Sequence, residues 1–555
     1  MTKTLVIGLD GATLDLIEPW AKAGKLPTFA RLMSSGAYGR LQSVLPVLSS
    51  AAWSSFTTGM NPGKHGLYDF VKRATDSYRL RPVSREQMGG QSLWKILSEL
   101  GQKVIVLNVP MTYPPEAVNG MLVSGLGTPD YKTFTYPSDL TDTLLRRNYR
   151  VNSEVAYQAG REGEYLAEVE KITAQLTDTA LWLMNTTEWD FFMVVYREPD
   201  EMAHFFWHFM DPTHPMHPTR QDTSLKDAIL KYYQRMDGVI EQLLEASGAD
   251  TDLFIMSDHG TGPFYKDVLL NEWLRQKGWL AVQSGGGKLS RQSLARLGVT
   301  RANISFILRR LGLGRVERWI KDVLGNRIEI LPTATHAQFP DAIDWQHTKA
   351  YSFGYHGQIY VNLRGREPQG IVAPGAEYEQ LCREMSDALM TMTDPEDGKP
   401  VVDRVIHRSQ AFHGPAYESA PDLIVIMRQL SYITRSGYEL GKAGEIFTPP
   451  HQFQAGSHRM EGVLMMSGPG TRQAGYLGNQ ACLTDLAPTI LHLRGFPVPD
   501  SMDGKVLLDW LTAQRAVRSS STEGKSLPTS SIESGLSPEQ EEALTQRLKE
   551  LGYLA

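Results

Sequence analysis

The sequence predicts an α/β fold with a mainly parallel central sheet flanked by helices. Three observations carry that prediction. Short apolar runs of about four to six residues recur along the chain, longer amphipathic segments separate them, and an aspartate stands at or just beyond the end of the first run and of a later one. At 555 residues the chain is too long for one small core. Length alone points to roughly two to four domains, or one large domain with insertions.

The runs that read as buried strands are Leu5–Leu9, Val104–Val109, Met121–Ser124, Phe191–Tyr196, Leu253–Met256, Gln358–Leu363, Leu423–Met427 and Val463–Met466. Each is too short for a buried helix. Between them, Leu93–Leu100, Tyr165–Met184, Leu225–Ala246 and Ala376–Met392 carry apolar residues at helical spacing. In sheets of this type ligands collect at the carboxyl ends of the strands, and Asp10 and Asp258 both fall there.

Two regions depart from this rhythm. Residues 276–339 open on Gly285-Gly-Gly-Lys288 and continue as a basic, helix-like stretch with Arg291, Arg296, Arg301, Arg309 and Arg310. They read as a cap inserted between two parts of the core, 1–275 and 340–512. Residues 513–536 are rich in serine and threonine and read as a flexible linker. The last segment, 537–555, begins with Ser537-Pro-Glu-Gln540, a capping box with proline at the first helical position. Leu544, Leu548 and Leu551 then share one face. Such a helix docks on the body of the chain or on a second copy, which makes a homo-oligomer one expectation.

Composition narrows the function classes. A net charge of −6 gives no reason to expect nucleic acid as a partner. Cys382 and Cys482 are the only cysteines, so neither a disulfide framework nor a zinc ribbon is available. No charged-then-apolar leader and no membrane-length apolar run occur, and a cytoplasmic protein is expected.

The chemistry-bearing residues come in local groups. Phe254-Ile-Met-Ser-Asp-His-Gly260 ends an apolar run on adjacent carboxylate and imidazole. Alone this is an ordinary polar exit from the core; with partners it is a metal site, since these are the ligand types of catalytic zinc. Asp10-Gly11 follows the first run, and Pro199-Asp200-Glu-Met-Ala-His204 follows another, its Asp and His four apart on one helical face. Gly456-Ser-His458 precedes the last run. Ser49, at the start of a helix-like stretch, is an N-cap or a nucleophile at a helix N-terminus.

In this order, with Asn61-Pro-Gly-Lys-His-Gly66, Thr484-Asp-Leu-Ala-Pro-Thr489 and Pro499-Asp-Ser-Met-Asp-Gly504, the motifs resemble the alkaline phosphatase superfamily. The nearest branch is the type I phosphodiesterase/nucleotide pyrophosphatase group with its phosphohydrolase and phosphomutase relatives. The likeness covers about residues 1–512, cap excepted. It implies an alkaline-phosphatase-like fold and two divalent metal ions, zinc first, with manganese or iron as alternatives. Asp200, His204 and His458 would hold one ion and Asp10, Asp258 and His259 the other, with Ser49 as nucleophile between them. A phosphodiester or pyrophosphate in a small phosphorylated or nucleotide substrate would be cleaved through a phosphoryl- or nucleotidyl-serine.

The chain departs from the family in using serine rather than threonine. Near Ser49 stand Ala51, Ala52 and Trp53, so no side-chain amide is offered to the phosphoryl group. Arg364 and Arg366 are candidate donors, since guanidinium pairs bidentately with phosphate. The alternatives are a phosphomonoesterase or metal-dependent phosphomutase, or a non-enzymatic binding protein acting through the basic cap and terminal helix. A sulfatase is disfavoured because Trp53 stands where its motif needs arginine, and a P-loop because Gly59-Met-Asn-Pro-Gly-Lys64 is too short and His65 follows.

Overall fold

The computed structural model describes residues 2–550 apart from 130–132, 219–223, 284–339, 436, 442–443, 452–453, 479, 514 and 522–534. The basic part of the expected cap and most of the expected linker therefore lie outside the described residues, as does Leu551.

Strands form at all the expected runs, but they divide between two sheets. Among the described residues the larger has ten strands. Its centre is a parallel array in the order Gly120–Ser124, Val104–Val109, Phe191–Tyr196, Lys3–Leu9, Thr251–Met256. Glu461–Ser467 adds antiparallel to Thr251–Met256, and Ala37–Gln42 adds antiparallel beyond it. The apolar runs at 358 and 423 form no part of this array. Gln358–Val361 and Leu423–Met427 pair antiparallel in a second sheet, of seven strands among the described residues. Apolar run length marks a buried strand without saying which sheet it joins.

The parallel strands are buried on both faces, as crossover helices require. Successive side chains alternate between two cores. Leu5, Ile7 and Leu9, with Phe192, Val194 and Tyr196, enter one core. Val6, with Phe191, Met193 and Val195, enters the other. The first core is closed by helices Glu162–Thr186, Glu198–Met210 and Ala228–Ser247. The second is closed by Ser49–Thr58, Leu93–Glu99 and Leu486–Leu493. Helices Ser49–Thr58 and Glu198–Met210 thus come from opposite faces of the sheet to its carboxyl edge.

Ile7 is paired with Val194 on one side and with Ile255 on the other. This common register levels the strand ends, so Asp10, the helix carrying Asp200, and Asp258 leave the sheet side by side.

The terminal helix Pro538–Glu550 docks on the chain itself. Leu544 and Leu548 are buried in a core with Leu48, Phe70, Val83, Met111, Leu126 and Phe264. Gln540 Nε2 donates to the Tyr113 hydroxyl at 2.9 Å. A helix this short is marginal in water unless it packs. Replacing both Leu544 and Leu548 by alanine removes about 2 kcal/mol or more of burial at each site. The double variant is expected to lose amide-exchange protection over 538–550 while Lys3–Leu9 keeps its own; unchanged protection of the helix would show that these leucines do not hold it.

Candidate active site

Asp10 follows directly on the first strand, Lys3–Leu9, and Gly11 turns the chain at φ +67°. A Cβ at Gly11 would lie 2.7 Å from Asp200 Oδ1, so glycine serves both the turn and the close approach. Gly11 N–H donates to Asp258 Oδ1 at 3.3 Å. The Trp53 indole N–H donates to Asp10 Oδ2 at 2.9 Å. The residue that weighed against a sulfatase thus orients this carboxylate.

Glu198–Met210 begins with proline in its first turn, where a missing N–H is harmless. The i, i+4 spacing brings His204 Nε2 to 3.1 Å from Asp200 Oδ2. His458 arrives on the short strand Gly456–Arg459, with Nε2 at 3.3 Å from His204 Nε2 and 3.8 Å from Asp200 Oδ1. The ligand atoms of Asp200, His204 and His458 lie within 4.8 Å of one another, as do those of Asp10, Asp258 and His259. All six residues are buried.

The imidazoles are set by main-chain carbonyls. His204 Nδ1 is 2.7 Å from Gly456 O, His458 Nδ1 2.7 Å from Val47 O, and His259 Nδ1 3.0 Å from Gly260 O. A carbonyl only accepts, so each Nδ1 carries a proton, and any of these rings without a second proton presents an Nε2 lone pair inward. Two such lone pairs at 3.3 Å repel unless a cation or a proton stands between them.

Electrostatics repeat the pattern. Burial, then the charges of Asp258 and Asp200, pushes the Asp10 carboxyl well above its ordinary range. Burial also raises Asp258, against an opposing pull from His259. Asp200 is pulled the other way: burial opposes its ionisation, but His204 and His458 together overcome that. Asp258 Oδ2 accepts no hydrogen bond from the described residues. Crowded carboxylates with inward imidazole lone pairs fit divalent cations, and the Asp/His composition is of the zinc type.

Ser49 is the first residue of helix Ser49–Thr58 and fully buried. Its Oγ is 3.4 Å from Asp10 Oδ1 and 3.2 Å from His259 Nε2. Ser50, one residue on, has an Oγ with no hydrogen-bond partner among the described residues. Arg366 is held by Asp422, at 2.9 and 2.6 Å, and by Glu367. Arg364 donates to Ile371 O. None of these partners belongs to either Asp–His group. In Asn61-Pro-Gly-Lys-His-Gly66, Asn61 caps a single helical turn and Lys64 pairs with Asp503, a structural use of the glycine-lysine sequence.

One buried histidine of this region was not anticipated. The ring of His356 lies 5.0 Å from that of His458, centroid to centroid, and burial lowers its pKa to about 3. Its sequence signal was a histidine among glycines, Gly354-Tyr-His-Gly357, just before a strand.

Residues 4–458 match the family described as type I phosphodiesterase / nucleotide pyrophosphatase. The chain belongs to that family. It is therefore a phosphohydrolase of the phosphodiesterase/pyrophosphatase type. No curated protein sequence matches it. Among solved structures, phosphonoacetate hydrolase from Sinorhizobium meliloti, in complex with phosphonoformate, is 13% identical. It aligns over 88% of this chain and 94% of its own with a TM-score of 0.53, a likeness of fold. Murine ectonucleotide pyrophosphatase/phosphodiesterase 5, an inactive variant in complex with AMP, is 12% identical over 92% of this chain and 100% of its own, with a TM-score of 0.49.

Asp10 and Asp258 bind protons more tightly in the folded, metal-free chain than unfolded, so their contribution to stability falls as pH rises above about 4. Asp200 contributes oppositely, losing stability only below that pH. In chelator-treated protein, Asp10→Asn is expected to raise the melting temperature relative to the parent, by an amount that grows between about pH 4 and 7. A difference independent of pH, read by calorimetry, would contradict this account of the carboxylates.

Proposed function

We propose that this family member is a two-metal phosphohydrolase that cleaves phosphodiester or pyrophosphate bonds with Ser49 as nucleophile. The observation that carries the reading is the position of Ser49 Oγ, 3.2 Å from His259 and 3.4 Å from Asp10, beside two buried groups of metal-ligand composition. Asp200, His204 and His458 would hold one divalent ion and Asp10, Asp258 and His259 the other, with zinc the best match to the donors. Such a pair, when bound, favours the serine alkoxide and takes up charge on the attacking and departing oxygens.

The chain's own residues do the rest. Ser49 Oγ forms a bond to phosphorus as the bond to the departing alcohol or phosphate breaks. Water then displaces the serine, whose oxygen leaves with the electron pair and is reprotonated. Trp53 fixes Asp10 while this happens, and the first turn of helix Ser49–Thr58, which begins at the nucleophile, would favour the anion through its free N–H groups. Burial of Ser49 and the Asp–His residues lowers the local dielectric and strengthens each of these interactions.

A diester or pyrophosphate is favoured over a monoester because Ala51, Ala52 and Trp53 supply no cation for an extra phosphate charge. The monoesterase or phosphomutase reading, in which the serine returns its phosphate to an alcohol, is the alternative.

Ser49→Ala is expected to keep two metal ions per chain by elemental analysis while kcat falls by about a thousandfold or more. Ser50→Ala should retain near-parental turnover. The reverse pattern would place the nucleophile one residue later. On metal-replete protein, kcat/KM for an aryl phosphodiester should exceed that for the matching monoester; a ratio well below one would select the monoesterase or mutase.

A further inference from the structure

The hairpin between Ala350–Ser352 and Gln358–Val361 is turned inward. Loop tips normally run over the surface, yet Phe353, Tyr355 and His356 are all buried. The tip is conformationally unfavourable as well: His356 sits at φ +63° between Gly354 at +86° and Gly357 at +74°. A non-glycine residue takes the left-handed region only where the surroundings dictate it.

Those surroundings are specific. Gln358 Nε2 donates to Asp69 Oδ2 and to Tyr355 O, both at 3.0 Å. Thr434 Oγ1 accepts from Gly357 N–H at 3.0 Å and donates to Gly354 O at 2.9 Å. The Ser352 hydroxyl donates to Gln358 O at 2.7 Å. A Cβ at Gly357 would fall 2.2 Å from Val425 O, so the tip is clamped from both sides.

What this clamp presents is one imidazole. His356 Nδ1 is buried without a hydrogen-bond partner among the described residues, a state native proteins avoid unless the group has a use. The ring borders His458, and His259, His204 and Asp200 lie within its electrostatic reach. It is nonetheless a member of neither group of close ligand atoms. Ser49 touches Asp10 and His259. In an in-line displacement the departing oxygen lies opposite the nucleophile, and His356 borders His458, a member of the group that Ser49 does not touch.

We propose that His356 is a substrate-contacting residue, donating an imidazole N–H hydrogen bond to an oxygen at the leaving-group end of the phosphoryl ester. The inference rests on the assignment of Ser49 as nucleophile.

The test uses His356→Asn, since asparagine tolerates the left-handed backbone, with His356→Gln as the second variant should the first fail to fold. Metal-replete protein is assayed on two aryl phosphodiesters, one with a nitrophenyl and one with an unsubstituted phenyl leaving group. The poorer leaving group needs the hydrogen bond more, so kcat/KM should fall by about 10- to 100-fold for the phenyl ester and clearly less for the nitrophenyl ester. Metal content should hold at two per chain, and inorganic phosphate should bind about tenfold more weakly by calorimetry. Equal losses on both esters, losses under about threefold with unchanged phosphate affinity, or loss of metal from the variant would each overturn the proposal. If the parent protein turns over no phosphoester, the reading of Ser49 fails; the phosphate titration alone then decides whether His356 contacts a phosphoryl group.

Discussion

Everything at the carboxyl edge of the main sheet follows from one constraint. Three carboxylates and three imidazoles are confined in a buried space, and their charges and lone pairs do not balance on their own. Asp258 and Asp200 raise the cost of ionising Asp10, and Asp200 raises that of Asp258, while His204 and His458 face each other nitrogen to nitrogen. A buried group of this kind is stable only when something positive completes it. The fold is a device for holding it together until then: a common strand register levels the three strand ends, and two helices close in from opposite faces of the sheet.

The same constraint explains what sequence made legible. Asp258-His259 and the pair Asp200, His204 were visible because each is generated within a single element, by adjacency at a strand end or by i, i+4 spacing on a helix. Asp10 needed only its place after an apolar run. His458 and Ser49 were weaker, since each reaches the site through tertiary placement, and the order of motifs rather than local pattern pointed to them. His356 carried no such pattern. Its place beside the site comes from a left-handed backbone and a clamp supplied by Asp69, Gln358 and Thr434, residues far apart in the chain.

The fold was legible to the same depth. Periodicity located the strands because burial on both faces writes a continuous apolar run. It did not separate the second sheet from the first, since pairing partners leave no mark on a single strand. Ala37–Gln42 was missed because its outward side chains are Tyr38, Arg40 and Gln42 and its inward ones include Gly39, too polar and too small to read as a core strand. The leucine face of the terminal helix was visible, whereas the choice between the chain's own body and a second copy as its seat was not. Arg364 and Arg366 were singled out as phosphate donors from residue type alone; the structure pairs Arg366 with Asp422 and Glu367, contacts that leave no mark on the local sequence.

The three imidazoles at the centre take their orientation from Gly456, Val47 and Gly260, and in each case from the carbonyl oxygen. Every amino acid carries that acceptor. Tautomer choice here is therefore written into the path of the backbone, and no side chain has to be preserved to keep it. Substitution around the site can proceed widely so long as the chain trace holds, whereas a shift of the main chain at any of the three positions would rotate a ring even with every ligand still in place.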